Sequence, residues 1–551
     1  MLNVAVSGLL AYQKALATTS HNISNVGTDG YSRQRVTLST RTPEPAGNGF
    51  LGKGVNVTSV DRVYDQFLVA QLNNRTSAYN QLDAFHIMAA QLDSALGDPS
   101  IGLTPALENF FNAIQDVAND PTSIPARQVM LSQAESLNEQ FKHLDRQFGD
   151  LKQSVNIQMT NIVTELNDLA AAIGDLNEDI VMGIGATGGQ QPNDLLDQRD
   201  VLVNKLSEYV NVNTVPNDDG SINVYIGTGQ SLVLGNQANQ LAIASNAYDP
   251  TQKEISLVTP GSTVNITQQI NGGKLGGLLD VREEVIDAGQ AALGRIAIAL
   301  SNTFNAQHQL GDDLNGNAGG LFFSAVDTTA PRSLPSANND PGSGNITITI
   351  NDVSQLKASD YRLNYDGSST TFSLMRLSDN TIVDSGFGVG GLPRTIANEG
   401  ITIDLTGTVA AGDSFLLTPT RYAASQMDLA ISDPAAIAAA ATGNNVGDNS
   451  NALALAALQT QGTMDGGTAS YLDAYGKMVA DIGIQTHRAA VNGDAQKALL
   501  NQAIEAREAV SGVNLDEEAA NLLKYQQAYQ ASAQVISVVN SLFQTLFNAV
   551  S

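Results

Sequence analysis

The sequence contains no cysteine and no tryptophan, and aromatic residues occupy only 5% of its 551 positions. Without cysteine the chain has no disulfides, thiolate nucleophiles, zinc–thiolate sites or iron–sulfur clusters. Charged residues are also scarce, at 15%, against about 25% in an average globular protein. Acidic residues outnumber basic ones by 55 to 28, which gives a net charge of −27. So acidic a chain repels phosphate, which argues against nucleic acid and anionic membranes as partners.

Long apolar runs are missing as well. No segment approaches the roughly 18–20 apolar residues that cross a bilayer, and we expect no membrane insertion. The N-terminal segment is mildly apolar, but its first positive side chain, Lys14, lies in the middle of it. A cleaved secretory signal begins with a basic region, so this segment does not match one. If the protein leaves the cytoplasm, a different export route must carry it.

The composition that is present indicates several folded domains. Hydrophobic residues make up 42% of the chain, enough for buried cores, and the length exceeds what one compact core holds. Both ends carry helical patterns, whereas the middle is rich in Gly, Asn, Asp and Thr with strand-like alternation. We therefore predict an α+β multidomain protein: an N- and C-terminal α-helical coiled-coil stalk, a long helical bundle, and β-rich domains inserted in the middle.

The changes of pattern along the chain also predict domain boundaries. We expect three kinds of domain, each built from separate stretches: a terminal helical assembly domain (1–60 and 505–551), a helical rod domain (61–186 and 450–504, with 281–310 as a further candidate) and β-rich outer domains (187–280 and 311–449). In this interpretation the chain folds back on itself, with helices at both ends and β domains looped out between them.

Three segments carry apolar stripes at alternating spacings of three and four residues. They run from Leu2 to Ile23, from Leu137 to Leu176 and from Leu515 to Val550. This spacing is typical of a narrow coiled-coil seam. Further helices are predicted at about 64–96 and 281–308. A seam as long as the last one needs a partner helix to bury it.

Period-two alternation predicts strands in the middle of the chain. It is clearest on both sides of the Asn217–Gly220 turn, in Ile346–Ile350, around Tyr361–Leu363 and in Ile401–Leu405. Shorter alternations flank Gly, Pro and Thr between residues 36 and 60. Turn residues separate these runs, as in antiparallel sheets.

No motif supports catalytic or metal chemistry. The five histidines are scattered, and none has a second metal-type ligand at a recognised spacing. Gly183–Gly188 matches the dinucleotide fingerprint formally, but it follows a helix rather than a strand, which favours a flexible loop. Asp313-x-Asn315-x-Asn317 resembles a calcium loop, but Ala318 replaces its required Gly, which favours a plain turn. We predict no catalytic, cofactor-binding or metal-binding residues.

Three segments together resemble the signatures of flagellar axial proteins. The N-terminal one spans Ser7 to Gln34 and resembles a signature shared by rod, hook and hook-associated proteins; its Tyr-Ser-Arg-Gln ending, from Tyr31, resembles the hook-associated protein 1 family in particular. Asn193–Asp200 resembles an internal motif of hook-associated proteins. Ser511–Glu518, with the residues that follow to Ile536, resembles the C-terminal signature of the hook-associated protein 1 family. Length and the helical–β–helical order fit the same family from end to end.

This resemblance implies a structural protein of the bacterial flagellum, not an enzyme, and an extracellular location. A ring of its copies would form the junction between hook and filament. The implied partners are further copies of the chain, the hook protein, the second hook–filament junction protein, the flagellar type III export apparatus and a cytoplasmic export chaperone at the C-terminal helix. Export would use an uncleaved N-terminal signal.

We predict that the terminal helices fold as they assemble, because isolated hairpins of this kind bury too little surface. The predicted assembly interface consists of Leu2, Val6, Leu9, Leu16, Ile23, Leu522, Tyr525, Tyr529, Ile536, Val539, Phe543 and Leu546. The predicted helix-terminating turn consists of Asn22, Asn25, Gly30 and Tyr31. The alternative is that the two termini pair only with each other, within one subunit.

Other functional classes remain as alternatives. Another flagellar axial protein, meaning a hook or rod subunit or the second junction protein, shares much of the same signature. A surface adhesin would use the β-rich region to bind a ligand. A flagellum-linked hydrolase would carry its catalytic residues within 187–450, where no motif supports it.

Overall fold

The computed structural model describes residues 1–45, 47, 49–97 and 102–550, and only the backbone of residue 550. The α-helices of these residues are α1 (Leu2–Ser24), α2 (Gln66–Gly97), α3 (Leu103–Asn119), α4 (Ile124–Ala186), α5 (Asn193–Tyr209), α6 (Gly273–Val281), α7 (Ala288–His308), α8 (Val326–Thr329), α9 (Ser450–Ala457), α10 (Tyr471–Ser511) and α11 (Leu515–Val550). A π-helical turn, Arg282–Asp287, joins α6 to α7.

The strands are short, and every pairing among the described residues is antiparallel. In chain order they are β1 (Gln34–Thr40), β2 (Glu44–Pro45), β3 (Phe50–Leu51), β4 (Val55–Arg62), β5 (Val212–Pro216), β6 (Ile222–Ile226), β7 (Gln230–Leu234), β8 (Gln237–Ala238), β9 (Gln240–Ser245), β10 (Lys253–Thr259), β11 (Ser262–Asn265), β12 (Gly311–Asp312), β13 (Arg332–Pro335), β14 (Asn345–Ile350), β15 (Tyr361–Asp366), β16 (Thr371–Arg376), β17 (Thr381–Phe387), β18 (Arg394–Ile396), β19 (Ile401–Thr406), β20 (Ser414–Thr418) and β21 (Ala440–Ala441).

The predicted fold class is confirmed: long helices occupy both ends, and several β-sheets lie in the middle. A five-stranded sheet (β13-β20-β15-β16-β17) and a three-stranded sheet (β14-β19-β18) form one β-rich region. In β14 the buried and half-buried isoleucines alternate with exposed threonine, as the period-two pattern predicts. The 187–280 stretch holds a four-stranded and a three-stranded sheet, but also two helices, α5 and α6.

The longest helix, α4, runs for 63 residues and includes the whole second apolar stripe. Its predicted seam is buried from Leu137 to Val155. Beyond that point Gln158 is only half-buried, and Met159 and Leu166, each one residue further along than a predicted position, are buried instead. Ile162 and Leu169 of the predicted stripe stay buried. A straight α-helix drifts by about 20° per heptad from a 3.5-residue repeat, which accounts for a buried face that is broader after Val155 than the predicted narrow seam.

The helical body is held by a continuous apolar core. Helix α2 packs along α10, α3 packs on α4 and α9, and α7 packs on α10. Near one end of α10 an aromatic cluster joins these helices to the loop after β12, with ring centroids 4.8–6.2 Å apart: Phe110, Phe111, Phe304, Phe322, Phe323 and Tyr471. Across the described ranges, no helix has the length and apolar content to cross a bilayer.

Candidate functional site

The two chain ends form one antiparallel helix pair. Gly8 of α1 lies against Ser532 of α11, and the rings of Tyr12 and Tyr525 stack with centroids 6.4 Å apart. The residues of α1 that are buried are mostly small: Ala5, Ser7, Gly8, Ala11, Ala15, Thr18, Thr19 and Asn22. Small side chains let two helix backbones approach closely, so this face forms the contact within the chain.

The β1–β4 hairpin packs on α1 beside α11. Ser7 Oγ accepts a hydrogen bond from the Val55 backbone N–H at 3.2 Å and donates one to the Val4 carbonyl at 2.7 Å. Gly54 has a φ of +95°, and a Cβ built there would lie 2.0 Å from Ser7 Oγ. Glycine is therefore required at this close approach. Helix α1 is thus held on two sides, by α11 and by the hairpin.

The predicted interface residues lie mainly along the flanks of this helix pair. Of the twelve, Val539 is buried, whereas Val6, Phe543 and Leu546 are exposed, and the other eight are half-buried: Leu2, Leu9, Leu16, Ile23, Leu522, Tyr525, Tyr529 and Ile536. The pairing within one chain, considered above as the alternative, is present, but it leaves the flanking apolar stripe partly open to solvent.

A second set of large apolar side chains on the pair is exposed to solvent. This outer row consists of Val4 and Leu10 on α1, and of Leu523, Val535, Val538, Leu542 and Phe547 on α11. Leu10 and Leu542 are 55% and 54% exposed, and Phe547 is 71% exposed. The free end of the pair also has an apolar recess of about 400 Å³, lined by Leu2, Val539, Leu542, Phe543 and Leu546 among others. Several large apolar side chains exposed on one helix pair indicate an interaction site.

The helix pair joins the body at a region that we name the neck, comprising residues 21–34 and 507–517, which lies against α5. Asn22 organises the end of α1: its Nδ2 donates to the Gln34 carbonyl at 2.9 Å, and its Oδ1 accepts from the Gln34 N–H at 2.9 Å and from the Tyr31 hydroxyl at 2.8 Å. Asn25 Nδ2 donates to the His21 carbonyl at 3.0 Å. These bonds turn the chain from helix into β1.

Three carboxylates of α5 hold the neck against the body. Asp194 Oδ1 accepts from Gln34 Nε2 at 2.7 Å and lies 3.3 Å from His21 Nε2. Asp197 accepts from the Ser32 N–H at 2.8 Å. Arg62, at the end of β4, donates to Asp197 at 2.9 Å and to Asp200 at 2.6 Å. In the Arg62–Asp197 ion pair both side chains are largely buried.

The break between α10 and α11 lies beside the same turn. Arg507, in the last turns of α10, donates to the Gly30 carbonyl at 2.6 Å. The Arg33 N–H donates to the Ser511 carbonyl at 2.7 Å, and the Arg33 guanidinium forms an ion pair with Glu517 in the first turn of α11. Both helices of the terminal pair therefore leave the body at one level, and they are tied to each other there.

Burial and the acidic surroundings shift the pKa values of Tyr31 in the neck and of Arg62 beside it. Burial, followed by Asp194, Asp197 and Glu518, raises the pKa of the Tyr31 hydroxyl, which stays protonated as the hydrogen-bond donor to Asn22. Burial lowers the pKa of Arg62, but Asp200 and Asp197 outweigh that effect and raise it. Arg62 is therefore charged wherever the protein is folded.

The α5 carboxylates were not among the predicted site residues. A signal for them was present: three aspartates at spacings of three residues lie within the Asn193–Asp200 motif, which places them near one side of a helix. The small-residue face of α1 had its own signal in Ala5, Gly8, Ala11 and Ala15, at spacings of three and four. Both signals give a helix face but not its partner, which is far away in sequence.

The motifs considered for chemistry lie elsewhere. Gly183 lies in the last turn of α4 and Gly188 in the turn that follows it, so no helix begins there to hold a phosphate. Asp313 Oδ1 accepts the backbone N–H groups of Asn315 and Asn317 at 2.7 and 2.8 Å, which is an ordinary turn. Among the described residues no group of three or more His, Asp or Glu side chains is arranged to hold a metal ion.

Family models match most of the chain. They are the helical domain of the flagellar hook-associated protein FlgK (residues 89–323), the D2-like domain of flagellar hook-associated protein 1 (334–419), the C-terminal model of the flagellar basal body rod FlgEFG proteins (508–549) and the flagella basal body rod protein model (2–31). The two rod-protein models coincide with α11 and α1.

Full-length relatives are named flagellar hook-associated protein 1. The protein from Salmonella typhimurium is 34% identical over 559 residues, covering 100% of this chain and 99% of its own length. The Escherichia coli K12 protein is 35% identical over 551 residues with the same coverage. The solved flagellar hook junction protein FlgK of Burkholderia pseudomallei is 28% identical, with a TM-score of 0.73, covering 80% of this chain and 100% of that one.

Proposed function

The chain belongs to the FlgK family of hook-associated proteins, which are structural components of the bacterial flagellum rather than enzymes, and we propose that it joins hook to filament by packing its terminal helices against those of neighbouring copies. Two groups of findings support the role: the full-length relatives carry the name hook-associated protein 1, and the Burkholderia relative is described as the flagellar hook junction protein. The helical packing is argued from this chain's own residues.

The single observation that carries the packing proposal is that the outer apolar row stays exposed when α1 and α11 are paired. Small residues on one face of α1 are buried, yet Leu10 of α1 stays exposed. On α11, Val538, Leu542 and Phe547 are exposed as well. Exposing large apolar side chains costs roughly 1.5–3 kcal/mol each relative to burying them. A neighbouring helix pair laid against this row would recover that free energy and would complete the coiled-coil core.

The predicted interface residues would then serve two contacts, one within the chain and one with a neighbouring copy. The half-buried members, such as Leu9 and Ile536, are partly covered within the subunit and would present their remaining surface to a neighbour. The exposed members, Phe543 and Leu546, line the apolar recess at the free end of the pair. An apolar side chain of the next copy fits a recess of this size and character.

The same surface explains the partners that we propose. A ring of copies would contact the hook protein on one side and the second junction protein on the other. Before assembly, the exposed apolar row of α11 favours aggregation, so a cytoplasmic chaperone that binds the C-terminal helix would protect it. Export would proceed through the flagellar type III apparatus, which delivers the chain to the extracellular flagellum. No cofactor takes part.

The first experiment is electron microscopy of cells that lack this chain, with the culture medium assayed for filament subunits. Bare hooks, with filament subunits lost to the medium, are the expected result. Normal filaments would remove the junction role and favour an adhesin instead. Missing hooks would show a rod or hook subunit, to which the two terminal rod-protein matches would then correspond.

Substitutions separate the outer row from the pairing within the chain. Val538→Asp places a charge on the exposed row, outside the recess that Leu2 of α1 lines, and should block assembly without disturbing the folded subunit. Leu9→Asp or Ile536→Asp should block assembly as well, but these side chains are half-buried within the subunit. The matched control is Ile382→Asp in β17, where the wild-type side chain is 60% exposed, similar to Val538.

The readout is filament growth in cells that carry each variant, with the amount of exported subunit measured alongside. We expect normal filaments with Ile382→Asp and none with Val538→Asp, when filaments are compared for the same amount of exported subunit. If the Val538 variant assembles as well as the control at that amount, the outer row is not the interface between copies.

A further inference from the structure

We propose that α5 and the neck act as an orientation lock, which sets the direction of the terminal helix pair relative to the body and stays closed when the subunit assembles. This inference rests on the proposed function, because the orientation matters only if the pair must meet its neighbours at a defined angle. It assigns a positioning role to Asp194, Asp197, Asp200, Arg62 and Gly30.

The connection between the helix pair and the body is not a flexible linker. A hinge needs backbone whose polar groups are free to rotate and are solvated. In the neck, the Ser32 N–H is bonded to Asp197, the Gly30 carbonyl to Arg507 and the Arg33 N–H to Ser511. Tyr31 and Ser32 are both buried. Each of these groups would lose a partner if the pair rotated.

Gly30 closely approaches α5. Its φ is +77°, and a Cβ built there would lie 2.0 Å from Cγ2 of Val201 on α5. Only glycine allows both the backbone conformation and this contact. Its neighbour Gly27 has open space around its Cα, and a Cβ built on Gly27 would meet no atom within 4 Å. The neck therefore contains one glycine that touches α5 and one that does not.

The lock is held by side chains from three distant parts of the chain. Asp197 and Asp200 come from α5, Arg62 from the end of β4 and Arg507 from α10. Their side-chain contacts are substantially shielded from water. Ion pairs and charged hydrogen bonds are stronger in such surroundings than at the surface. Removing one partner leaves a charge without compensation, so the ties resist opening one at a time.

The test uses variants that open the lock in two different ways. Gly30→Ala introduces the clash with Val201, and Gly27→Ala is its matched control. The double variant Gly30→Ala with Val201→Ala removes the clash and should restore the closed neck in part. Asp197→Asn weakens the bond to Arg62, and its control is Asp384→Asn, which weakens the Arg394–Asp384 ion pair in the β-rich region.

The orientation of the helix pair relative to the body is measured by double electron–electron resonance between two spin labels. The chain has no cysteine, so labels attach only where cysteine is introduced: at Lys14 on α1 and at Asn492 on α10, both exposed. We expect one narrow distance peak for the wild-type subunit and for both control variants. Gly30→Ala and Asp197→Asn should broaden the peak, and the double variant should narrow it again. Circular dichroism shows whether each variant keeps its helix content.

The same variants are then scored for filament growth in cells that lack the native chain. Loss of filaments in proportion to the broadening, with rescue by the double variant, is the expected outcome. A peak that stays narrow in Gly30→Ala and Asp197→Asn would refute the lock, and so would broad peaks with undiminished assembly. Failure of the wild-type chain itself to restore filaments would instead contradict the junction function.

Discussion

Replacing Asn22 by alanine removes the side chain that ties the end of α1 to the start of β1. Asn22 is 1% exposed, and its amide takes part in three hydrogen bonds, two with the Gln34 backbone and one with the Tyr31 hydroxyl. Alanine fits the space but provides no donor or acceptor. The Tyr31 hydroxyl and both Gln34 groups would then have to find water or stay without a partner.

The expected cost follows from the number and burial of these bonds. A hydrogen bond contributes a net ~0.5–1.5 kcal/mol, and more when its loss leaves a buried partner unsatisfied, so three bonds correspond to about 2–4 kcal/mol. That free energy belongs to opening of the neck and not to unfolding of the whole chain, because domains of a multidomain protein open separately.

Hydrogen–deuterium exchange of the peptide that contains Gln34 measures this local opening directly. At about 1.4 kcal/mol per factor of ten, the Gln34 amide should exchange roughly 30 to 1,000 times faster in Asn22→Ala than in the wild-type chain. Tyr31→Phe removes only one of the three bonds and should accelerate exchange by roughly fivefold, for a loss of ~1 kcal/mol.

The control is Asn25→Ala, which lies in the same turn but forms weaker, more exposed bonds to His21 and Thr28. It should change Gln34 exchange only by a few-fold, as surface hydrogen bonds do. The reasoning fails if Asn22→Ala exchanges no faster than Asn25→Ala, because Gln34 would then owe its protection to something other than Asn22.

Two further predictions concern the body. Buried His308 donates from Nδ1 to the Gly320 carbonyl at 2.8 Å and accepts the Ala438 N–H at Nε2 at 2.9 Å, and burial lowers its pKa below 6.5. His308 takes up a proton near pH 6.5 in the unfolded chain but only at a lower pH in the folded one, so stability falls as the pH drops through 6.5 towards the lowered folded pKa. His308→Gln should therefore make the melting temperature depend less on pH over that window, and an unchanged pH dependence would contradict this. A Cβ at Gly289 would meet the Phe148 ring at 2.5 Å, whereas one at Gly149, in the middle of α4, would meet nothing within 4 Å. Gly289→Ala should therefore destabilise the body by about 1–3 kcal/mol and Gly149→Ala should stabilise it by up to ~1 kcal/mol, measured by chemical denaturation; the opposite order would refute the packing argument.

Much of the secondary structure was predictable because it depends on local spacing. The 3,4 pattern from Leu515 to Val550 predicts α11 over its full length, and Ile346–Ile350 predicts β14. Turn residues such as Gly220, with φ of +92°, separate β5 from β6. Each of these is decided by side chains within a few residues of one another, which a single sequence displays.

The side on which an element is buried was less predictable. The apolar stripe of α1, Leu2 to Ile23, was expected to form the seam, but its small residues make the closest contact with α11, and the stripe lies beside it. In α4 the buried face widens after Val155 and includes Met159 and Leu166 beside the predicted stripe. Periodicity identifies an apolar face. The size of the facing side chains and the path of the helix decide which residues form the contact with the neighbouring helix.

By itself the sequence determined the helical ends, the β-rich middle, the absence of thiol and metal–thiolate chemistry, and the resemblance to flagellar axial proteins. Only the tertiary structure decided that Asp197 lies against Ser32, that Arg507 reaches Gly30, and that the outer row of α11 stays uncovered. The pairs Ser32–Asp197 and Gly30–Arg507 are separated by 165 and 477 positions. Contacts over such distances depend on how all the intervening elements pack, because a local pattern specifies a face and not the surface that it meets.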